Sequence, residues 1–230
     1  MTAAPLAERL ARVREDIARA QAGHGLSREV SIVAVTKGHD AGAVRTALEA
    51  GLPDVGENRV QEAVAKQAEL GALPARWHLI GHLQTNKAKL VPGAFVLVHS
   101  VDSIRIAEAL ANATRTAHGA RLSVLLQVNV AGEEQKSGCA PAEAGDLAGH
   151  IAGLPELRLE GLMTMAPFTD DEPTQRKVFA GLRDLRDRLA TAVLPLPELS
   201  MGMSGDYRAA VAEGSTMLRL GTVLFGDRAA

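Results

Sequence analysis

Leu6, Leu10, Val13 and Ile17 recur at alternating four- and three-residue spacing, the period of a helix with one buried face, and Gly23 and Gly25 close the run. From Val30 onward the pattern changes. Short apolar runs without polar alternation, suited to burial on both faces, take turns with segments of helical period. The runs predict eight strands, at Val30–Thr36, Asp54–Gly56, Trp77–Ile80, Phe95–Val98, Leu122–Val128, Leu157–Met163, Leu199–Met201 and Met217–Leu220. Between them the spacing predicts helices over Ala41–Ala50, Arg59–Leu70, Ile104–His118, Pro141–Ala152, Thr174–Leu189 and Tyr207–Glu213, with a short helical turn near Asn86–Leu90. Ile104, Ala107, Leu110 and Ala111 carry one helical face, and Val178, Leu182, Leu185 and Leu189 another.

Strand and helix in such alternation imply a parallel sheet, and eight strands fit a closed (β/α)8 barrel better than an open doubly wound sheet. The expected architecture is α/β: a single-domain (β/α)8 TIM barrel with an extra N-terminal helix, spanning residues 1–230 as one unit. In such barrels function gathers at the C-terminal ends of the strands, and a phosphate site commonly forms after strands seven and eight. Lys37 closes the first strand, Glu57 and Asn58 follow the second, Ser204 the seventh, and Gly221 and Thr222 the eighth. All fall on one rim. Period-two alternation also puts Val33, Val35 and Lys37 on one face of the first strand, and Met217, Arg219 and Gly221 on one face of the last. If those faces line the barrel, Lys37 and Arg219 point inward together.

Those residue types suggest an amine and a phosphate pocket in one site. Low dielectric at the end of a buried strand disfavours a charged lysine and pushes its pKa down toward a reactive amine able to form a Schiff base. Glycine lets backbone N–H groups approach an anion, and a serine or threonine hydroxyl adds a donor, so Met203–Gly205 and Leu220–Thr222 read as a phosphate cradle or, more plainly, as turns. An arginine within a strand must answer an anion, a carbonyl or a ligand acceptor.

Composition narrows the field. The 230 residues are 47% hydrophobic and 23% charged, with a formal net charge of −2, which is ordinary for a globular protein with ample core. Scattered basic residues, one Trp, one Tyr and four Phe give little to bind nucleic acid. The longest apolar runs fall far short of a membrane span, and the first ten residues lack a signal-peptide core, so a cytoplasmic location is expected. Cys139 cannot pair within the chain and reads as structural. His78 and His82 are four apart, but Gly81 breaks any shared helical face, so no metal site is expected there. His99 is expected as a hydrogen-bonded histidine at the end of its strand. The acidic clusters Glu133–Glu134 and Asp170–Glu172 are expected in solvated loops, the latter favoured by the following helix N-terminus.

Several segments in one order carry a resemblance: Ile32–Lys37, Val55–Glu62, Trp77–Lys87, His99–Ser103, Gln127–Gly138, Gly161–Ala166, Leu199–Tyr207 and Gly214–Arg228. With them the chain resembles the pyridoxal-phosphate homeostasis proteins, whose fold is similar to the N-terminal barrel of alanine racemase. The resemblance runs from about Leu6 to Arg228. It implies that Lys37 forms an internal aldimine with pyridoxal 5′-phosphate, that Ser204, Gly221 and Thr222 hold its phosphate, that Arg219 meets the pyridine nitrogen and that Asn58 lies beside the cofactor. Lys136, in the Lys-Ser-Gly motif, either offers a second amine for passing the cofactor on or is a solvated loop lysine. Gly38–His39 replaces a threonine–lysine pair often seen after the lysine, which leaves Lys37 itself untouched.

Arginine does not act as a proton donor in practice, so the ring nitrogen opposite it stays unprotonated and the cofactor is a poor electron sink. Racemase relatives also take a second base from a tyrosine in an added β-domain, and here the sole tyrosine, Tyr207, sits on the strand-seven loop. The resemblance therefore implies a carrier that holds pyridoxal phosphate reversibly, without robust catalysis, in vitamin B6 homeostasis. Apo pyridoxal-phosphate enzymes are its expected acceptors, and a monomer its expected state. The alternatives are a pyridoxal-phosphate-dependent amino-acid racemase, and a barrel that takes another phosphorylated metabolite with Lys37 merely structural.

Overall fold

The computed structural model describes residues 3–133 and 135–226. Glu134, and the two residues that end the Gly214–Arg228 segment, lie outside the described residues. Eight parallel strands close into a barrel in chain order: β1 (Ser31–Val35), β2 (Asp54–Glu57), β3 (Arg76–Leu79), β4 (Leu97–Val101), β5 (Leu122–Gln127), β6 (Leu157–Met163), β7 (Glu198–Ser200) and β8 (Met217–Leu220). The helices α1 (Ala3–Gly23), α2 (Ala41–Glu49), α3 (Val60–Leu70), α4 (Ile104–Thr116), α5 (Ala144–Ala152), α6 (Glu172–Leu189) and α7 (Tyr207–Ala212) pack outside it. A 3-10 helix, Thr85–Leu90, takes the place of a full helix between β3 and β4, and one further turn, α8 (Thr222–Phe225), follows β8. The closed barrel, its alternation with helices and the extra N-terminal helix match the expectation.

Closure is made by β1 against β8, with Val33 opposite Arg219 and Ala34 opposite Leu220. Parity decides what each side of the wall meets. Val33 and Met217 point inward and pack with Leu97, Leu125 and Met163 in a small inner cluster. Ile32, Ala34, Leu218 and Leu220 point outward into the large cluster shared with the helices, where Phe179 and Leu182 of α6 and Leu110 of α4 are wholly buried.

Most element ends shift slightly from the pattern-based reading, and two differences bear on the site. β4 runs from Leu97 to Val101 rather than over Phe95–Val98, because Phe95 caps the preceding turn through its N–H to Val91 O. His99 and Ser100 are therefore inside the strand and buried. α8 was not expected, since one turn leaves no periodicity to read.

Candidate active site at the C-terminal rim

Lys37 sits two residues beyond β1, at the start of a turn, and is half-buried; it does not end the strand itself. Gly38 follows at φ +74°, a left-handed conformation that glycine adopts without strain, and His39 N–H donates to Thr36 O to close the turn. Thr36 is held from beneath. Its Oγ1 donates to Glu57 Oε1 at 2.6 Å, and Lys66 Nζ of α3 donates both to Glu57 Oε1 at 2.6 Å and to Thr36 O at 2.8 Å. Glu57 thus faces the strand–helix layer, not the rim cavity where the sequence reading placed it, and its Oε2 is buried without a hydrogen-bond partner.

On the other side of the rim, Gly202 leaves β7 at φ +97°, with its Cα packed so closely that an added Cβ would lie 2.7 Å from Ala210 Cβ. That turn presents Ser204, whose Oγ accepts from the N–H groups of Gly221 and Val223, each at 3.2 Å. Asp206 folds the same loop by accepting from Met203 N–H, and burial pushes its carboxyl above the usual carboxylate range. Asn58 follows β2, and Gly81 of the next loop lies against it so tightly that a Cβ there would come within 2.4 Å of Asn58 O.

A cavity of about 560 Å3 opens between these loops. Lys37, Asn58, Ser204, Arg219, Gly221 and Thr222 all line it, so the structure brings the six residues singled out from sequence onto one concave surface. Its size is that of a small-molecule site. Another depression, of about 570 Å3, lies on the outer surface between α6 and Glu213 and gathers none of these groups.

Arg219 forms the floor. It is 4% exposed and donates to two neutral acceptors, Ser200 Oγ at 2.6 Å and Thr164 O at 2.9 Å. Burial lowers its pKa to about 10, against the attraction of Asp206, so the guanidinium remains a cation at neutral pH. A buried cation held by neutral groups has donor capacity for an electron-rich ligand atom above it.

The structure also changes the reading of other residues. Lys136 is not a solvated loop lysine: it lines the cavity, donates to Ala166 O at 2.7 Å and pairs with Glu133, which is not free in solvent either. Asp171 caps α6 by accepting from Thr174 N–H at 3.0 Å, and Asp170 reaches the cavity wall. His82 lies on the rim loop while His78 is buried in the barrel, so the two never share a face. His99 lies deep inside rather than at the rim, fully buried, with burial chiefly, and the nearby Arg219 cation, driving its pKa well below that of a free imidazole. Cys139 is buried and its thiol is pushed up to about 11, chiefly by burial, which fits a structural thiol. Tyr207 is turned away: its hydroxyl donates to Asp16 of α1 at 2.6 Å, and burial with that bond raises its pKa to about 12. Among the described residues no three His, Cys, Asp or Glu side chains are grouped to hold a metal ion, and no helix is long and apolar enough to cross a membrane.

Comparison with known proteins bears on the family and the fold. The family described as "Alanine racemase, N-terminal domain" matches residues 9–229. The "Pyridoxal phosphate homeostasis protein" of Pseudomonas aeruginosa is 48% identical over 97% of this chain and 94% of its own length. The structure of PipY from Synechococcus elongatus with pyridoxal phosphate (PLP) bound superposes with a TM-score of 0.84 at 39% identity, covering 96% of this chain and all of PipY. An alanine racemase of Clostridium difficile shares the fold at a TM-score of 0.75 and 16% identity, with 97% of this chain matching 58% of the racemase. A closed barrel carrying all six rim residues on one cavity, and near-half identity along almost the whole length, lead to one conclusion: the chain belongs to the pyridoxal phosphate homeostasis protein family, built on the alanine racemase N-terminal fold.

Proposed function

We propose that the chain binds pyridoxal 5′-phosphate in the rim cavity and holds it reversibly on Lys37, as a carrier in the intracellular homeostasis of vitamin B6. One observation carries the reading: an amine, a hydroxyl-and-amide cradle and a buried arginine line the same 560 Å3 cavity. The residues fit the group. Ser204 Oγ already sits on the amides of Gly221 and Val223, as a hydroxyl beside a phosphate would. Arg219 has N–H groups and no lone pair to accept with, so it suits an unprotonated pyridine nitrogen. When bound, pyridoxal phosphate supplies an aldehyde carbon that condenses reversibly with an amine as a Schiff base, here on Lys37.

The chain's own residues favour holding over turnover. Arg219 gives the ring nitrogen no proton, which keeps the group a weak electron sink. Tyr207 is engaged with Asp16 outside the cavity and is unfit as a second base. Lys136, on the cavity wall, offers a second amine for handing the cofactor to apo enzymes, and we take the working form to be a cytoplasmic monomer with residues 1–230 acting as one domain. An amino-acid racemase is the second reading, supported by the fold. Deuterium exchange at the substrate Cα at enzymatic rates would establish it and end the pure carrier reading.

The direct test is the visible absorbance of the purified protein with added pyridoxal phosphate, followed by borohydride reduction and peptide mapping. A reducible band with the adduct on Lys37, lost in Lys37→Ala, is expected. An adduct that persists elsewhere in Lys37→Ala would remove Lys37 from its role, and no band at all would leave a barrel for another phosphorylated metabolite.

A further inference from the structure

Below the cavity, side chains from five strands meet in one line across the barrel interior. Arg219 of β8 donates to Ser200 Oγ of β7 at 2.6 Å. Ser200 Oγ is 2.9 Å from His99 Nδ1 of β4, His99 Nε2 is 2.9 Å from His78 Nδ1 of β3, and His78 Nε2 is 2.8 Å from Asp54 Oδ1 of β2. All five are buried. Asp54 opens its strand at the opposite end of the barrel, where it accepts from Arg76 Nε at 2.7 Å and lines a separate cavity of about 320 Å3.

The line has a direction. Burial of Asp54 opposes its ionisation, but the bonds from His78 and Arg76 outweigh it and hold the carboxyl below its ordinary value, so it only accepts. His78 Nε2 then carries the proton and its Nδ1 accepts. His99 must therefore bear its proton on Nε2, and its Nδ1 accepts from the Ser200 hydroxyl, whose oxygen in turn accepts from Arg219. With both imidazoles neutral, every donor and acceptor in the line is used. A cationic His78 would instead reverse His99, and Ser200 Oγ would receive two donors while its own proton lost the acceptor.

We propose that Asp54, His78, His99 and Ser200 form a one-directional hydrogen-bond relay, in which Asp54 is a positioning residue that fixes Arg219 and its donor strength toward the cofactor ring from the far end of the barrel. The proposal rests on the reading that Arg219 meets the pyridine nitrogen. A chain of bonds running from a cation to a carboxylate polarises each link, and it locks the guanidinium in one rotamer beneath the cavity.

Two measurements test it. In 15N-histidine-labelled protein without cofactor, His78 and His99 should both be neutral at neutral pH with the proton on Nε2; a cationic His78, or His99 protonated on Nδ1, overturns the relay. In the protein loaded with pyridoxal phosphate, Asp54→Asn should move the visible band and weaken cofactor affinity about tenfold. Arg183→Gln, which removes an ion pair at Glu213 outside the barrel and touches no link of the line, should leave both unchanged. Should Asp54→Asn fail to fold, Ser200→Ala cuts the line next to Arg219 and carries the same expectation. If the interrupted variant matches Arg183→Gln in band and affinity, the role is structural and the proposal falls. Wild-type protein that takes up no pyridoxal phosphate fails the carrier reading and with it the link to the ring, while the imidazole tautomers still decide the relay itself.

Discussion

The two sides of the barrel wall differ in what they bury. Outside, strands and helices share one apolar layer in which Phe179, Leu110, Leu126 and Leu182 have no more than traces of solvent contact. Inside, the apolar cluster is five residues, and beside it stands a polar column of His78, His99, Ser200, Asp54 and Arg219. Apolar burial stabilises at roughly 25 cal/mol per Å2, whereas a buried cation must recover its desolvation before it contributes anything. The outer layer therefore holds the fold together, and the inner column serves the site.

The largest separation between the two sides should come from Phe179→Ala. Its ring is fully buried between α6 and the barrel, and its loss should cost about 3–5 kcal/mol in chemical denaturation. Under conditions where the variant is still folded, its affinity for pyridoxal phosphate should stay within about twofold of wild type, because no atom of the cavity is removed. A large affinity loss in the folded variant would mean that the layer and the site are not separable.

Arg219→Met gives the converse. Exchanging a buried cation for an apolar side chain of similar length is often neutral or stabilising, and here the change leaves Thr164 O short of one donor. Stability should stay within about 2 kcal/mol of wild type, while cofactor affinity falls by tenfold or more. A collapse in stability comparable with Phe179→Ala would show that the inner column holds the fold and would erase the distinction.

The outer layer and the rim were legible from sequence for the same reason that they differ. Apolar period is a local signal, so the helices and the eight strands could be read one after another, and the rim residues followed from where each strand ends. Parity on β1 and β8 put Val33 and Met217 inward, as found. The inner column gave no such signal. His78 and His99 stand alone in their segments, and Ser200 and Asp54 resemble ordinary strand-end residues; only barrel closure brings β2, β3, β4, β7 and β8 to one axis. The same polar residues blurred β4, since His99 and Ser100 interrupt an apolar run and made a buried strand look finished at Val98. Glu57 was misplaced for a related reason: it follows Gly56 by one residue, and that single step of parity turns it from the cavity to Lys66.

The smallest effect concerns acid, and it isolates one member of the column. His99 is kept neutral in the folded state, chiefly by burial and also by the nearby Arg219 cation, whereas in the unfolded chain it titrates near ~6.5. Below that value the unfolded state binds a proton that the folded state refuses, so stability falls as pH drops through about 6.5 and is complete above it. Each pH unit on the acid side costs about 1.4 kcal/mol for this one group. Asp54, with its depressed pKa, loses its own contribution only at more acidic pH, below about 4. Chemical denaturation at mildly acidic and mildly basic pH should therefore show a difference of about that size in wild type, and a flatter profile in His99→Gln. Equal slopes in the two proteins would mean that the folded barrel admits a proton at His99, and that the inner column is wet rather than closed.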